Sequence, residues 1–170
     1  MVVRADFDVI WQLDNYNGWN LPYTKTIEII PRSAEHDREH KFTPKKYKML
    51  VDPTATFTIL FVPQFTDFAE SDVRTLHYTY YGTEEMYALQ GVWVDASMHF
   101  DKRDSTSSVY DFLLDITIFV SNSTSPQAGL DGTLGLAISP TLADYDKVCV
   151  MHQLDVKYYI PMTYMNFFTK

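Results

Sequence analysis

The sequence predicts a mostly β protein folded as one domain, and three observations lead to this prediction. The chain of 170 residues is 46% hydrophobic and 15% aromatic, which is enough apolar side chain for a core. Short runs rich in β-branched and aromatic residues recur between turn residues. One run, residues 133–138, is apolar throughout and follows the turn pair Asp131-Gly132. It contains Gly135, and a glycine inside a buried strand indicates that another piece of backbone comes close to it.

The other strands are predicted from alternation and from β-branched or aromatic content. They are residues 7–13, 24–30, 54–62, 75–81, 92–100, 112–120 and 157–168. Within 75–81 the alternation places Tyr78 and Tyr80 on one face and His77 and Thr79 on the other. Turns or loops are predicted between these strands, at residues 15–18, 33–41, 101–108 and 121–128.

One helix is predicted near the end of the chain, over residues 142–154. Val148, Met151 and Leu154 recur there at helical spacing, which indicates a face packed on the core. Cys149 lies in the same segment and is expected to be packed rather than reactive, since the sequence shows no neighbouring base.

Charge and cysteine content limit the classes of partner, and the cellular compartment, that the sequence predicts. The net charge of −8 argues against a nucleic-acid partner, and the cluster Lys41, Lys45, Lys46 and Lys48 is interpreted as a solvated loop. No apolar run approaches the length of a membrane span, so no membrane partner is expected. The first residues lack a signal-peptide core and Cys149 is the single cysteine, which together predict a cytoplasmic protein.

Two short patterns of possible chemical meaning are interpreted conservatively. His36 and His40 are four residues apart and share a face if the segment is helical, but no third ligand has a suitable spacing. The sequence therefore predicts neither a metal site nor a cofactor. Asn122-Ser123-Thr124 has the form of a glycosylation sequon, which matters only in a secreted chain.

Residues 131–137, Asp-Gly-Thr-Leu-Gly-Leu-Ala, resemble the Asp-Gly-Ile-Leu-Gly-Leu-Ala motif of the N-terminal lobe of pepsin-like aspartic proteases. In that family this strand braces the loop that carries the catalytic aspartate. Residues 9–19 are similar to the family's catalytic-loop segment, 81–91 to its flap hairpin and 157–168 to its lobe-joining strand. The resemblance implies a single lobe of a pepsin-like acid-protease β-barrel, with one or two short helices, over residues 1–170.

The resemblance also implies that the lobe is catalytically degenerate. Matching Asn17 and Trp19 to the family places Gln12 where the family has its catalytic aspartate. Aspartic proteases need two carboxylates that share one proton, and an amide cannot ionise near neutral pH. Asp14 is the nearby carboxylate, but its use would require a two-residue deletion before Trp19. We therefore expect a pseudoenzyme, with Asp14 as the fallback acid.

The flap resemblance supplies the expected cleft. In the family the flap tyrosine contacts both the substrate and the tryptophan after the catalytic loop. The resemblance therefore assigns peptide binding to Trp19, Tyr81, Gly82 and Thr83. Glu84 and Glu85 replace a Gly-Ser tip, so the tip should be reshaped and the cleft altered in charge.

The terminal segment 157–168 is apolar on both faces, and such a strand left uncovered would aggregate. The expected interface residues are Tyr159, Met162, Tyr164 and Phe167. The leading hypothesis is a non-catalytic aspartic-protease-like module that binds a protein or peptide, or forms a homodimer through its terminal strands. One alternative is an active homodimeric peptidase, in the manner of retroviral enzymes, that uses Asp14. Another is a structural half of a two-lobed protein.

Overall fold

The computed structural model describes residues 14–15, 23–31, 45–63, 70–80, 84–100, 112–137, 148–150 and 153. In these ranges the protein is mostly β, as the sequence predicts. The strands are β1 (Asp14–Asn15), β2 (Tyr23–Pro31), β3 (Lys45–Asp52), β4 (Ile59–Phe61), β5 (Arg74–Thr79), β6 (Met86–Phe100), β7 (Phe112–Ser121) and β8 (Gly132–Gly135).

The eight strands form one mixed sheet in the order β1-β2-β3-β8-β4-β7-β6-β5. A further antiparallel pairing between β2 and β6, with Ile29 opposite Met98, joins two distant parts of that order. Six strands, β2, β3, β8, β4, β7 and β6, are thereby paired in a closed circuit. The pairs β3–β8 and β4–β7 are parallel, and the others are antiparallel. Outside the circuit, β1 pairs with β2 and β5 with β6.

The circuit encloses the first of two apolar cores, which strand alternation separates. On β3 Met49 belongs to the first core, whereas its neighbour Leu50 belongs to the second. Successive side chains of a strand point to opposite faces, so the second core lies on the outer side of the circuit. The second core consists of Leu50, Ile59, Phe61, Tyr78, Tyr80, Leu89, Phe119 and Leu130. The hairpin of β5 and β6 covers this outer core.

Three strands confirm predictions made from alternation and from β-branched or aromatic content. β2 and β7 match the predicted segments 24–30 and 112–120 within two residues at each end. β6 contains the predicted segment 92–100 but begins six residues earlier, at Met86. The predicted strand 75–81 is present as β5, which pairs with β6 from Arg74 opposite Gly91 to Thr79 opposite Met86. Tyr78 and Tyr80 are buried, and His77 and Thr79 are exposed.

The prediction that the basic segment forms a loop is wrong for the residues that the structure describes. Lys45, Lys46 and Lys48 lie in β3, and Lys41 lies outside the described residues. Lys46 is exposed, whereas Tyr47 and Met49 are buried in the first core. The alternation of a half-buried strand was therefore present, but lysine is depleted in strands and obscured it.

Three other boundaries differ from the prediction. Of the predicted strand 54–62, only Ile59–Phe61 is a strand, and residues 53–58 form a loop. The predicted turn at Asp131-Gly132 is also wrong, because Gly132 already belongs to β8. The turn lies just before it, where Gly129 has a φ of 79°. Asn15, predicted in a turn, instead pairs with Tyr23 in β1–β2.

The predicted helix lies mostly outside the described residues. The described part contains a helix-type hydrogen bond, in which Gln153 N–H donates to Cys149 O at 3.0 Å. Cys149 is buried, as predicted, and its thiol donates to Ala137 O at 3.3 Å. The strands predicted over 7–13 and 157–168 lie outside the described residues. In the part of the chain that the structure describes, no helix has the length and apolarity needed to cross a membrane.

Candidate functional site

Gly135 marks the point where two segments of backbone meet, as the sequence predicts. A Cβ atom at Gly135 would lie 2.4 Å from Phe57 O and 2.6 Å from Ala55 O. Leu136 N–H donates to Asp52 O, and Ala137 N–H donates to Ala55 O, both at 2.9 Å. The loop pressed against Gly135 is therefore the one that joins β3 to β4, residues 53–58.

Asp52 is the carboxylate at the start of this loop. It is the last residue of β3, lies opposite Gly135 in the parallel β3–β8 pair and has 0% of its surface exposed. Its Oδ1 accepts hydrogen bonds from Thr54 N at 2.8 Å, Thr54 Oγ1 at 2.6 Å and Ala55 N at 3.1 Å. An aspartate that accepts from backbone groups two and three residues later turns the chain. Asp52 therefore ends β3 and shapes the loop that Gly135 contacts.

The second oxygen of Asp52, Oδ2, accepts a hydrogen bond from the hairpin of β5 and β6. Tyr78, on β5, donates its hydroxyl to Asp52 Oδ2 at 3.2 Å and to Thr133 Oγ1 at 3.3 Å. Thr133 lies on β8 and is fully buried. A phenol has one proton to donate, so its two acceptors share it. The contact joins three elements that are far apart in sequence, and it accounts for the buried polar groups beneath the hairpin.

Tyr80 attaches the same hairpin to a different loop. Its hydroxyl donates to Gln127 Oε1 at 2.9 Å, in the segment between β7 and β8. The rings of Tyr78 and Tyr80 meet edge to face, with centroids 5.9 Å apart and an interplanar angle of 87°. Such a pair adds about 0.5–1.5 kcal/mol beyond area burial. The base of the hairpin is thus held by two phenol hydroxyls and one ring contact.

Burial keeps these phenols protonated. It raises the pKa of Tyr78 far above its ordinary value, and the nearby charge of Asp52 raises it further. Burial also raises the pKa of Tyr80 to about 12, again with a smaller contribution from Asp52. At neutral pH both hydroxyls are therefore hydrogen-bond donors.

Alkaline pH should destabilise the protein through these tyrosines. Burial raises the pKa of Tyr47 as well as that of Tyr80 to about 12. Above about pH 10, unfolded tyrosines lose a proton that the folded ones retain, so the free energy of unfolding falls as pH rises towards 12. Urea unfolding at a series of pH values should show this slope, and Tyr47→Phe with Tyr80→Phe should reduce it, with the remainder due to Tyr78. An equal slope in the double variant would contradict the assignment.

Most residues that the sequence analysis assigned to a site lie outside the described residues. These are Gln12, Trp19, Tyr81, Gly82, Thr83, Tyr159, Met162, Tyr164 and Phe167, and their roles stay predictions. The backbone of Asp14 lies in β1, opposite Thr24. Glu84 and Glu85 are exposed beside the described end of the hairpin, and Glu85 Oε2 accepts from the Tyr87 hydroxyl at 2.6 Å.

The sequence analysis missed Asp52. It placed the aspartate-bearing loop at residues 9–19, whereas the described loop that contacts Gly135 begins at Asp52. Gln12 lies outside the described residues, so its assignment to the catalytic position stays a prediction. A usable signal was present, since Asp52 follows the apolar run 49–51 and precedes a Pro-Thr pair, the pattern of a strand that ends in a turn.

The described residues include no cluster of three or more His, Cys, Asp or Glu side chains arranged to hold a metal ion. Comparison of the sequence with protein-family models and with curated proteins finds no match.

Proposed function

We propose that this chain is a single, catalytically inactive lobe of the pepsin-like type, which acts by binding a protein or peptide partner. The closed circuit of six strands supports the fold part of the proposal. So does the contact of Gly135 with a loop that begins at a carboxylate, Asp52, since the resemblance leads us to expect a glycine-containing strand that braces such a loop. The observation on which the loss of catalysis depends is the complete burial of that carboxylate.

Hydrolysis by aspartates requires a carboxylate oxygen in contact with the attacking water and a second carboxylate that shares a proton. Asp52 Oδ1 already accepts three hydrogen bonds from its own loop. Asp52 Oδ2 accepts from the buried Tyr78 hydroxyl, so a protein group already occupies this oxygen as its donor. The carboxylate therefore has a structural role: it holds the loop and fastens the hairpin.

The hairpin end is the surface we assign to a partner. Met86 is 70% exposed, and the adjacent Glu84 and Glu85 are exposed carboxylates. An exposed methionine provides adaptable apolar contact area, and flanking carboxylates favour a basic partner. The single cysteine and the net charge of −8 support a cytoplasmic protein partner rather than a nucleic acid.

The proposal predicts that the purified protein cleaves no peptide at acidic or neutral pH. The measurement is mass spectrometry of a diverse peptide mixture after incubation with wild type, Asp52→Asn and Asp14→Asn. Cleavage by wild type that either substitution abolishes would overturn the inactive assignment.

A basic peptide library should bind wild type more tightly than a variant with Glu84→Gln and Glu85→Gln, and equal binding would remove the hairpin end as the partner surface.

The alternative function is an acid peptidase assembled from two copies, each of which contributes one carboxylate. The position of Asp52 in the loop braced by Gly135 is the observation that favours it. It would require Tyr78 to withdraw from Asp52 Oδ2 on dimerisation. A dimer by light scattering whose peptide hydrolysis is blocked by a statine-type inhibitor would support this alternative over the inactive lobe. The version that uses Asp14 instead predicts loss of that hydrolysis in Asp14→Asn.

A further inference from the structure

We propose that the Asp52 site carries its own ligand, the phenol of Tyr78, and that the compartment this side chain fills is a binding site selective for phenols. This deepens the inactive-lobe function proposed above and rests on its assignment of Asp52 to a structural role. It gives a second reason, besides the burial of Asp52, why this carboxylate does not act on substrates.

The polar end of the compartment fits a phenol hydroxyl. Asp52 Oδ2 accepts at 3.2 Å, and Thr133 Oγ1 lies 3.3 Å from the same hydroxyl oxygen. Asp52 can only accept when it is a carboxylate, whereas the threonine hydroxyl can accept or donate. A ligand must therefore bring a hydrogen-bond donor, such as the O–H of a phenol, and a second carboxylate would be repelled.

The remainder of the compartment fits an aromatic ring. Tyr78 belongs to the outer core together with Leu50, Ile59 and Leu89. The ring of Tyr80 stands edge-on to it at 5.9 Å. Aliphatic alcohols would leave part of this apolar wall unfilled, and benzene-like rings would leave the buried carboxylate without a donor, which costs free energy.

The wild-type site is closed to external ligands because its internal ligand is attached at several points. Tyr78 is 7% exposed, and its strand pairs with β6 over the whole length of β5. The adjacent Tyr80 hydroxyl is bonded to Gln127. The phenol of Tyr78 is thus present at a very high effective concentration, which excludes a free phenol.

The experiment removes the Tyr78 side chain from the compartment and supplies a free phenol in its place. Tyr78→Ala, wild type and Tyr80→Ala are heated with equal concentrations of phenol, 4-methylphenol or toluene, and Tm is measured. We expect both phenols to raise the Tm of Tyr78→Ala, toluene to raise it much less, and wild type to be unaffected. Tyr80→Ala is the matched control, because it removes a neighbouring phenol that has no hydrogen bond to Asp52. Asp52→Asn in the Tyr78→Ala background should weaken phenol binding about tenfold.

Equal stabilisation of Tyr78→Ala by toluene and phenol would overturn the phenol selectivity. So would phenol binding that Asp52→Asn weakens equally in the Tyr78→Ala and Tyr80→Ala backgrounds, because the Tyr80 hydroxyl donates to Gln127 Oε1. If Tyr78→Ala does not fold, the milder pair Tyr78→Phe and Asp52→Asn tests the same contact. Their combined effect on the unfolding equilibrium constant should depart from the product of the single effects by about threefold or more. A departure smaller than this would overturn the proposal. Peptide cleavage by wild type would defeat the inactive-lobe function but leave these ligand results standing, so the two failures are distinguishable.

Discussion

Gly135→Ala should lower the free energy of unfolding by about 3 kcal/mol or more, the upper end of the range for overpacking a core. The new methyl group would lie 2.4 Å from Phe57 O and 2.6 Å from Ala55 O. Both atoms are backbone, so no side chain can rotate away to relieve the clash. The loop cannot retreat either, because Asp52 accepts hydrogen bonds from Thr54 and Ala55 within it. Urea unfolding followed by tryptophan fluorescence measures the loss.

The matched control for this substitution is Gly129→Ala. Gly129 is exposed in the turn before β8 and has a φ of 79°, so alanine there is strained without entering the core. We expect that substitution to cost about 1 kcal/mol. If Gly135→Ala costs no more than Gly129→Ala, the close approach at Gly135 is not a feature of the folded protein.

Asp52→Ala should be the most damaging removal of a polar side chain in the described residues, at about 3–5 kcal/mol. It removes the acceptor of the N–H groups of Thr54 and Ala55, and it leaves the buried Tyr78 hydroxyl with Thr133 Oγ1 as its remaining acceptor. It also releases the loop that contacts Gly135. Asp52→Asn should cost less, because the amide oxygen can still accept from the loop while the amide nitrogen donates to the Tyr78 oxygen. Urea unfolding of the purified variants gives both values.

Asp95→Ala is the control for Asp52→Ala. Asp95 is an exposed carboxylate on β6 that accepts a hydrogen bond from Thr117 Oγ1 at 2.6 Å. Since water can replace this contact, we expect a change within about 0.5 kcal/mol. Equal losses for Asp52→Ala and Asp95→Ala would show that the buried hydrogen bonds of Asp52 do not stabilise the fold.

Predictions from local pattern succeeded where a strand's alternation is clear. In β2, Ile27 and Ile29 are buried while Thr26 is exposed, and the predicted strand 24–30 is found there. Gly135 was recognised because an unsubstituted position inside an apolar run has few explanations other than close backbone contact. The burial of Cys149 was predicted for a similar reason, since an apolar helical pattern surrounds it.

Predictions failed where contacts between residues distant in sequence decide the local structure, or where residues lie in a secondary structure that their type usually avoids. Lys46 and Lys48 lie in β3 because Tyr47 and Met49, which alternate with them, enter the first core, and this burial outweighs the low strand preference of lysine. Residues 54–58 have strand-like composition, but hydrogen bonds to Asp52 turn them into a loop. Such a bond is visible only when the chain is folded.

The sequence by itself determined the β character of this protein, the positions of β2 and β7 and the need for a partner segment against Gly135. Each of these follows from properties that neighbouring residues express together, namely alternation, branching and the absence of a side chain. The tertiary structure alone decided that the partner segment begins at Asp52 and that the Tyr78 hydroxyl donates a hydrogen bond to Oδ2 of the Asp52 carboxylate. Those contacts span 83 and 26 positions of the chain, from Asp52 to Gly135 and to Tyr78, and the free energy that selects them comes from burial of both cores. Burial on this scale depends on the whole sheet, which no local stretch of sequence encodes.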